Sequence, residues 1–217
     1  MTTTMAGRDP PRNGIGACDA EWENHAVQVS SFPEGNTPPK VRAQVLAIQE
    51  QAWPSNEPSD ASHLTHDPAL RPVTVILEED GHVVSALDLL HKQLVHAGQP
   101  FSVVGLSTVV TDQQSRGSGF GHHLVAAARQ IVAVSGADLG LFTCDRELQG
   151  FYEHAGWRHL PDAVLVGGTE HDPFPSDQPG FDKVTMADFF TDHARRHRAS
   201  FINVRIALFP GQLDHLW

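Results

Sequence analysis

The spacing of apolar residues along the chain predicts an ordered series of strands and helices. Runs that alternate between apolar and polar residues indicate strands, and apolar residues three or four positions apart indicate helices. Helices are predicted at Lys40–Trp53, where Val41, Val45 and Ile48 share a face, after the glycine-rich stretch near residue 120, and at Arg146–His154. Strands are predicted at His25–Phe32, Val73–Leu77, His82–His96, Phe101–Thr111, Leu139–Thr143, within Trp157–Gly167, and at Lys183–Phe189 and Phe201–Phe209.

This order predicts an α/β fold with a mixed, mostly antiparallel central sheet flanked by helices. Short turns at Glu79–Gly81 and Ala97–Pro100 join three consecutive strands into an antiparallel meander. Residues 1–22 have no hydrophobic period and are predicted to be a flexible leader. Residues 23–217 then form a single domain, in which the long polar segment Ser55–Pro72 is a loop with one helical turn, of the kind that is often functional.

Composition narrows the class of protein. The 217 residues are 40% hydrophobic and carry a formal net charge of −11, which argues against nucleic acid as the main partner. Cys18 and Cys144 belong to no CxxC pair, so a disulfide framework or a thiolate zinc site is not expected. The N-terminus has no apolar core of a signal peptide, and no run is long enough to span a bilayer. We therefore expect a cytoplasmic protein without a membrane partner.

The stretch Arg116-Gly117-Ser118-Gly119-Phe120-Gly121 lies between a β-branched strand and an amphipathic helix. Free backbone N–H groups at a helix N-terminus, where the helix dipole is positive, suit a phosphate. The residue three positions after Gly119 is His122, so the dinucleotide fingerprint G-x-G-x-x-G fails, and the Gly-Lys-Ser/Thr of a P-loop is absent. The pattern that remains is R-x-x-G-x-G.

This loop after the strand LSTVVT, together with the later FYEHAGW at residues 151–157, resembles the GCN5-related N-acetyltransferases (GNAT). The resemblance implies a sheet that splays after the meander, acetyl-CoA as cofactor, and a Tyr beside the thioester sulfur that protonates the departing thiolate; Tyr152 is at that position. It also implies a family expectation of a homodimer. The implied cofactor-binding residues are Val109, Val110, Thr111, Arg116, Gly117, Ser118, Gly119, Phe120, Gly121, His122 and Asp145.

Two positions depart from the pattern of that family. Asp145 stands where Asn is common, and its side chain is expected to cap the following helix. Ser107 stands where a related subfamily has a Glu that acts through water as general base. Because a Ser cannot deprotonate an ammonium unaided, Asp88, His91 and Glu57 are alternative bases, although each also fits a solvated surface charge. A less basic amine substrate would need no such base.

A weaker resemblance concerns the acceptor. The run from Leu139 to Trp157 and an acidic residue just before a terminal Trp are similar to the aminoglycoside 2′-N-acetyltransferases. That similarity implies an aminoglycoside or aminosugar acceptor, bound by Thr143, the Trp217 carboxylate and, as a looser match, Asp214. The candidate bases Glu57 and Asp88 are expected to be further contacts of the substrate. We therefore expect a small-molecule amine as substrate.

The histidine pairs His63/His66 and His193/His197 have spacings seen in metal sites, but no Glu or Cys completes a motif, so we expect no metal. Two other function classes stay open. One is a non-catalytic acyl-CoA-binding module that retains the loop but lacks the base, and the other, on weaker grounds, is a nucleotide-dependent oxidoreductase.

Overall fold

A computed structural model describes residues 27–54 and 64–217. The predicted leader at residues 1–22 and the proposed contact Glu57 therefore lie outside the described residues. Among the described residues, no helix combines the length and the apolar character needed to cross a membrane.

A seven-stranded sheet is the centre of the fold. Its strand order is β1-β2-β3-β4-β5-β9-β6, and a smaller three-stranded sheet has the order β10-β7-β8. All neighbours in the large sheet are antiparallel except β4 and β5. The strands are β1 Val27–Pro33, β2 Val73–Glu79, β3 His82–His96, β4 Gln99–Thr111, β5 Leu139–Asp145, β6 Arg158–His159, β7 Val164–Gly168, β8 Pro173–Pro175, β9 Lys183–Phe189 and β10 Arg205–Ala207.

Helices cover both faces of the large sheet. Helix α1 (Pro39–Ala52) packs Val45 and Ile48 against one face. Helix α2 (Phe120–Val134) packs a stripe of four buried residues against the other face, together with the short helix α3 (Gln149–His154). The stripe is Leu124, Val125, Ala128 and Val132, the spacing that a helix half covered by a sheet requires. A fourth helix, α4 (Asp192–His197), follows β9.

The meander of β2, β3 and β4 contains a bulge close to its end. Ala86 of β3 pairs with Val110, but Asp88 pairs with Ser107, so two residues of β4 lie opposite one residue of β3. One of the two, Thr108, has a φ of 48°. A left-handed conformation is strained for a β-branched residue, and it persists only where the surrounding contacts impose it.

Strands β4 and β5 separate soon after they begin to pair. Their parallel pairing consists of Val103 with Leu139 and Val104 with Gly140. Beyond those residues β4 continues to Thr111 and β5 to Asp145 without pairing each other. The sheet therefore opens into a V between its two central strands, and the free edge of β4 faces the opening.

The predicted fold class is confirmed: the sheet is mixed, mostly antiparallel and flanked by helices on both faces. The predicted strand at Phe201–Phe209 is wrong in its extent. Phe201 ends a 3-10 helix, Asn203 has a φ of 53°, and only Arg205–Ala207 is a strand. The apolar residues of this stretch, Phe201, Ile206 and Leu208, are instead buried in the second core around β7, so they serve packing rather than a long strand.

Candidate active site

A continuous groove runs from the glycine-rich loop into the V between β4 and β5. It consists of three adjoining cavities of about 320, 260 and 240 Å³. The first two share Thr111, Arg116 and Phe151. The second and third share Val109, Leu148 and Tyr152. An elongated ligand can therefore span the whole distance from the loop to Tyr152.

The glycine-rich loop forms one end of the groove. Gly117 and Gly119 have φ values of 85° and 83°, which side chains rarely tolerate, so these two glycines allow the loop to turn sharply into α2. Gly119 caps α2 without any side-chain hydrogen bond, and the N–H groups of the first turn are thus available to a ligand. Arg116 is exposed beside them, and its Nε donates to the Thr111 carbonyl at 3.3 Å. This end of the groove suits a phosphate or pyrophosphate.

The middle of the groove is lined by the end of β4. Val109, Val110 and Thr111 contribute here, with Phe151 of α3 opposite them. The bonds of this strand to β3 leave its other edge free beyond Val104. A free strand edge offers a row of N–H and C=O groups to an extended ligand.

The inner end of the groove lies beside Tyr152. Tyr152 packs edge-on against Phe142 and Phe151, and burial, with Cys144 and Asp145 nearby, raises the pKa of its phenol. Burial and the neighbouring Asp145 charge likewise raise the pKa of the Cys144 thiol to about 12. Both groups are therefore protonated near neutral pH, and Cys144 is a poor nucleophile there.

Trp217 and Gly105 shape the same inner cavity. The indole of Trp217 rests directly on Gly105 of β4, and a Cβ at that position would overlap the ring. Trp217 also packs against both main clusters of the core. Only glycine at residue 105 allows Trp217 to form this wall.

Asp145 does not cap the following helix, contrary to the sequence prediction. Its backbone occupies the cap position, but the side chain makes no capping hydrogen bond. Instead Asp145 Oδ1 accepts a hydrogen bond from Lys183 Nζ at 2.5 Å. The cation on the neighbouring strand β9 draws the carboxylate away from the helix. Asp145 and Lys183 both line the inner cavity.

Asp88 and Asp214 are buried on either side of a histidine. His66 Nδ1 lies 2.5 Å from Asp214 Oδ1, and His66 Nε2 lies 3.2 Å from Asp88 Oδ2. Burial alone would lower the pKa of His66, but the hydrogen bonds to Asp214 and Asp88 and the charges of both carboxylates outweigh it and raise the pKa to about 9. His66 is therefore an imidazolium at neutral pH, and it joins the loop before β2, strand β3 and the C-terminal segment.

The groove contains most of the residues predicted for the site. Its lining includes Ser107, Val109, Val110, Thr111, Arg116, Gly117, Gly119, Phe120, Gly121, His122, Thr143, Asp145, Tyr152 and Trp217. Ser118 is not part of the lining, and the structure places Asp88 and Asp214 behind the wall. Asp88 is only 2% exposed, so the alternative of a solvated strand charge does not describe it. His91 is held by the Arg71 carbonyl and is also outside the lining.

Sequence reasoning missed the roles of His66 and Thr108. Residues 66, 88 and 214 are far apart in the chain, and no local spacing connects them. The strained backbone of Thr108 has no sequence signature either, since the residue is an ordinary member of a β-branched strand.

The histidines that suggested metal spacing have other contacts. His193 stacks on Phe101, and His197 Nδ1 bonds to the His193 carbonyl at 2.9 Å. His63 is outside the described residues. Within 27–54 and 64–217, His, Cys, Asp and Glu side chains form no group of three or more suited to a metal ion.

Comparison with known families identifies the class of protein. Residues 39–160 match the model of the acetyltransferase (GNAT) domain, which is more than half of the chain. The chain belongs to this family of N-acetyltransferases, as the loop and the Tyr152 motif predicted. A comparison with curated proteins finds no match.

Solved structures share the fold at low sequence identity. An acyl-CoA N-acyltransferase from Pseudomonas aeruginosa has a TM-score of 0.51 at 16% identity, over 75% of this chain and 99% of that one. ElaA of Escherichia coli has a TM-score of 0.50 at 15% identity, over 75% and 99%. An acetyltransferase from Trypanosoma brucei has a TM-score of 0.50 at 19% identity, over 61% and 93%.

The buried imidazolium predicts a specific dependence of stability on pH. Because the pKa of His66 is raised from 6.5 to about 9 on folding, its stabilising contribution is complete below pH 6.5 and disappears as the pH rises to 9. This difference in pKa corresponds to a contribution to the free energy of unfolding on the order of 3 kcal/mol. Urea unfolding across this pH range should show a higher free energy of unfolding for the wild type than for His66→Gln, and this difference should become smaller as the pH rises. A difference that stays constant with pH would contradict the assignment.

Proposed function

We propose that the protein transfers the acetyl group of acetyl-CoA to the amine of a small molecule, by direct attack within a ternary complex. The observation that carries this proposal is the continuous groove from the N-terminus of α2, along the free edge of β4, to Tyr152. Coenzyme A has the matching order of parts: a pyrophosphate, an extended pantetheine arm with amide groups, and a thiol.

The residues of the groove fit such a donor. The amides of the first turn of α2 and the Arg116 guanidinium would hold the pyrophosphate. The free edge of β4 at Val109–Thr111 would pair with the amides of the pantetheine arm. The bound thioester supplies an activated acetyl group, and N–H groups on the same strand edge can stabilise the negative charge that develops on its carbonyl oxygen.

Direct attack is favoured over a covalent acyl-enzyme. Cys144 lies in the inner cavity, but its pKa of about 12 keeps the thiol protonated near neutral pH. Tyr152 is also a neutral phenol, and it lines both the cavity of the pantetheine arm and the inner cavity. We therefore assign Tyr152 the role of donating a proton to the departing thiolate.

The walls of the inner cavity favour an amine attached to an apolar or aromatic body. Trp53, Leu148, Phe181 and Trp217 form much of the lining, and Trp53 is 53% exposed at the rim. Among the described residues of this lining, the charged side chains are Asp145 and Lys183, which pair with each other. A monoamine with an apolar body therefore fits these walls better than a polycation.

An aminoglycoside or aminosugar is the second candidate acceptor. It is supported by Thr143 and Trp217, which both line the inner cavity as the weaker resemblance implied. The net charge of −11 would also attract a polycation. Against it, the Asp214 carboxylate is turned towards His66 rather than into the cavity.

Loss of the Arg116 charge should weaken binding of the donor. Calorimetry with coenzyme A should show a Kd that is about tenfold higher for Arg116→Gln, because one charge-assisted hydrogen bond to phosphate is lost. Arg158→Gln, at an exposed position of β6, is the matched control and should bind as the wild type does. Absence of coenzyme A binding in folded wild-type protein would end the proposal.

The Tyr152→Phe variant separates an enzyme from a non-catalytic binding module. If Tyr152 is the general acid, kcat should fall by about 10²-fold while coenzyme A affinity is nearly unchanged. The thiol released from acetyl-CoA provides the assay. A wild type that binds coenzyme A but acetylates no amine would instead support the binding module.

A panel of acceptors tests the two substrate classes. Arylalkyl monoamines, aryl amines, polyamines and aminoglycosides would be compared by kcat/KM under identical conditions. We expect the monoamines with an aromatic body to have the highest values, because Trp53 and Phe181 can cover that body. The reverse order, with aminoglycosides first, would favour the aminosugar assignment.

A further inference from the structure

Among the described residues, the inner cavity has no unpaired side-chain carboxylate that could receive a proton from the amine. Ser107 stands at the position where the resemblance places a Glu, and Asp145 is paired with Lys183. The two hydroxyls of the β4 bulge, Ser107 and Thr108, line the cavity instead. A hydroxyl passes a proton on only where a base lies behind it.

Thr108 has such a base behind it. Its Oγ1 donates to Asp88 Oδ2 at 2.6 Å, while the residue itself lines the inner cavity. The bulge that gives Thr108 its φ of 48° thus places one hydroxyl between the cavity and a buried carboxylate. Backbone strain at such a residue persists only where surrounding contacts impose it, and the hydrogen bond to Asp88 is one of those contacts.

Asp88 is one end of a charged chain that lies entirely behind the wall. Thr74 Oγ1 also donates to Asp88, at 2.7 Å, and His66 connects Asp88 to Asp214. The chain contains two carboxylates and one imidazolium, and its net charge is therefore −1. Within residues 27–54 and 64–217, the other charged groups that face Asp88 are Glu34 and Arg42, which line a small cavity with it beneath α1.

We propose that the chain Thr108–Asp88–His66–Asp214 receives the proton that the acceptor amine loses when it is acetylated. This inference rests on the proposed function. As the amine nitrogen forms its bond to the carbonyl carbon, its proton moves to Thr108 Oγ1, and the proton of Thr108 moves to Asp88 Oδ2. The C–S bond breaks, and Tyr152 protonates the thiolate. Solvent returns a proton to Tyr152 and removes one from Asp88.

The chemistry of the nitrogen makes a carboxylate sufficient for this step. An alkyl ammonium has a pKa of about 10, as Lys does, so a carboxylate cannot deprotonate it beforehand and the amine must enter neutral. Attack places a positive charge on the nitrogen, and its proton then leaves readily. The net negative charge of the buried chain stabilises that positive charge across the short distance through Thr108.

His66 and Asp214 are positioning residues in this scheme. His66 holds Asp88 at Oδ2, the same oxygen that accepts from Thr108, and Asp214 holds His66 and also accepts the Asp67 N–H at 2.8 Å. A purely structural role would make the same contacts. The two roles differ in whether the Thr108 hydroxyl affects the rate and its pH profile.

The test compares Thr108→Val with Thr108→Ser on the arylalkyl monoamine that the wild type acetylates best, with each rate referred to the concentration of the neutral amine. Valine keeps the shape but removes the hydroxyl, and we expect kcat to fall by about 10²-fold with little change in KM. Serine restores the hydroxyl and should restore most of the rate. In the wild type kcat should decline on the acid side, where the chain takes up a proton; Thr108→Val should lose that decline.

Asp88→Asn is the second variant, and it keeps the size of the side chain but cannot take up the proton. The double variant Thr108→Val/Asp88→Asn should be no slower than either single variant, because both interrupt one route. Coenzyme A calorimetry and thermal unfolding report whether each variant is folded. The proposed proton route would be wrong if the losses in the double variant were additive. It would also be wrong if either single variant kept the wild-type rate and the acid-side decline; the proposed function would stand in both cases. A wild type that acetylates no amine would overturn both.

Discussion

The early separation of β4 from β5 is the constraint on which the site depends. Two residue pairs join the strands, and every feature of the groove follows from what happens beyond them. The free edge of β4, the cavity beside Tyr152 and the space for Trp217 lie where β5 remains paired with β9 on its other edge but no longer pairs with β4. Gly105 comes directly after the last paired residue, Val104, and its lack of a side chain lets the Trp217 ring keep the strands apart from within.

A second constraint acts on the opposite side of β4. The His66 imidazolium contacts Asp88 of β3 and Asp214 of the C-terminal segment. The backbone N–H of the next residue, Asp67, donates a second hydrogen bond to Asp214. Buried charges are costly unless they are paired; here both carboxylates contact the one imidazolium, and hydrogen bonds from Thr74, Thr108 and the Asp67 N–H offset the remaining negative charge. Because Leu216 and Trp217 follow Asp214 closely, the charged contact behind the wall also helps to fix the apolar wall of the inner cavity. Charge pairing and apolar packing therefore determine the same surface.

Local sequence patterns were sufficient to predict the fold class and the end of the groove proposed to bind the donor. The meander, the glycine turn into α2 and the Tyr152 helix are each encoded within short stretches, by alternation, by glycines and by helical spacing. The acceptor end was not predictable in the same way, because it is assembled from residues 53, 107, 143, 181 and 217. Asp145 illustrates why local patterns are not sufficient there. Its sequence context favours a helix cap, but its carboxylate accepts a hydrogen bond from Lys183, on a strand nearly forty positions later.

The position of Asp88 explains how the site can have a Ser rather than a carboxylate at residue 107. The two residues are register partners on adjacent strands, so a carboxylate missing from β4 is present one strand away at the same level of the sheet. The bulge compensates for the added distance, because the extra residue that it inserts is Thr108, whose hydroxyl reaches both the cavity and Asp88. The position of the charge behind the strand also keeps it out of the acceptor cavity, whose walls include Trp53, Phe181 and Trp217. Described side chains that leave no carboxylate unpaired in the cavity do not select for polycations, whereas an unpaired carboxylate on the cavity surface would do so. The same displacement thus accounts for a proton route through a hydroxyl and for the preference that the walls indicate for an amine with an apolar body.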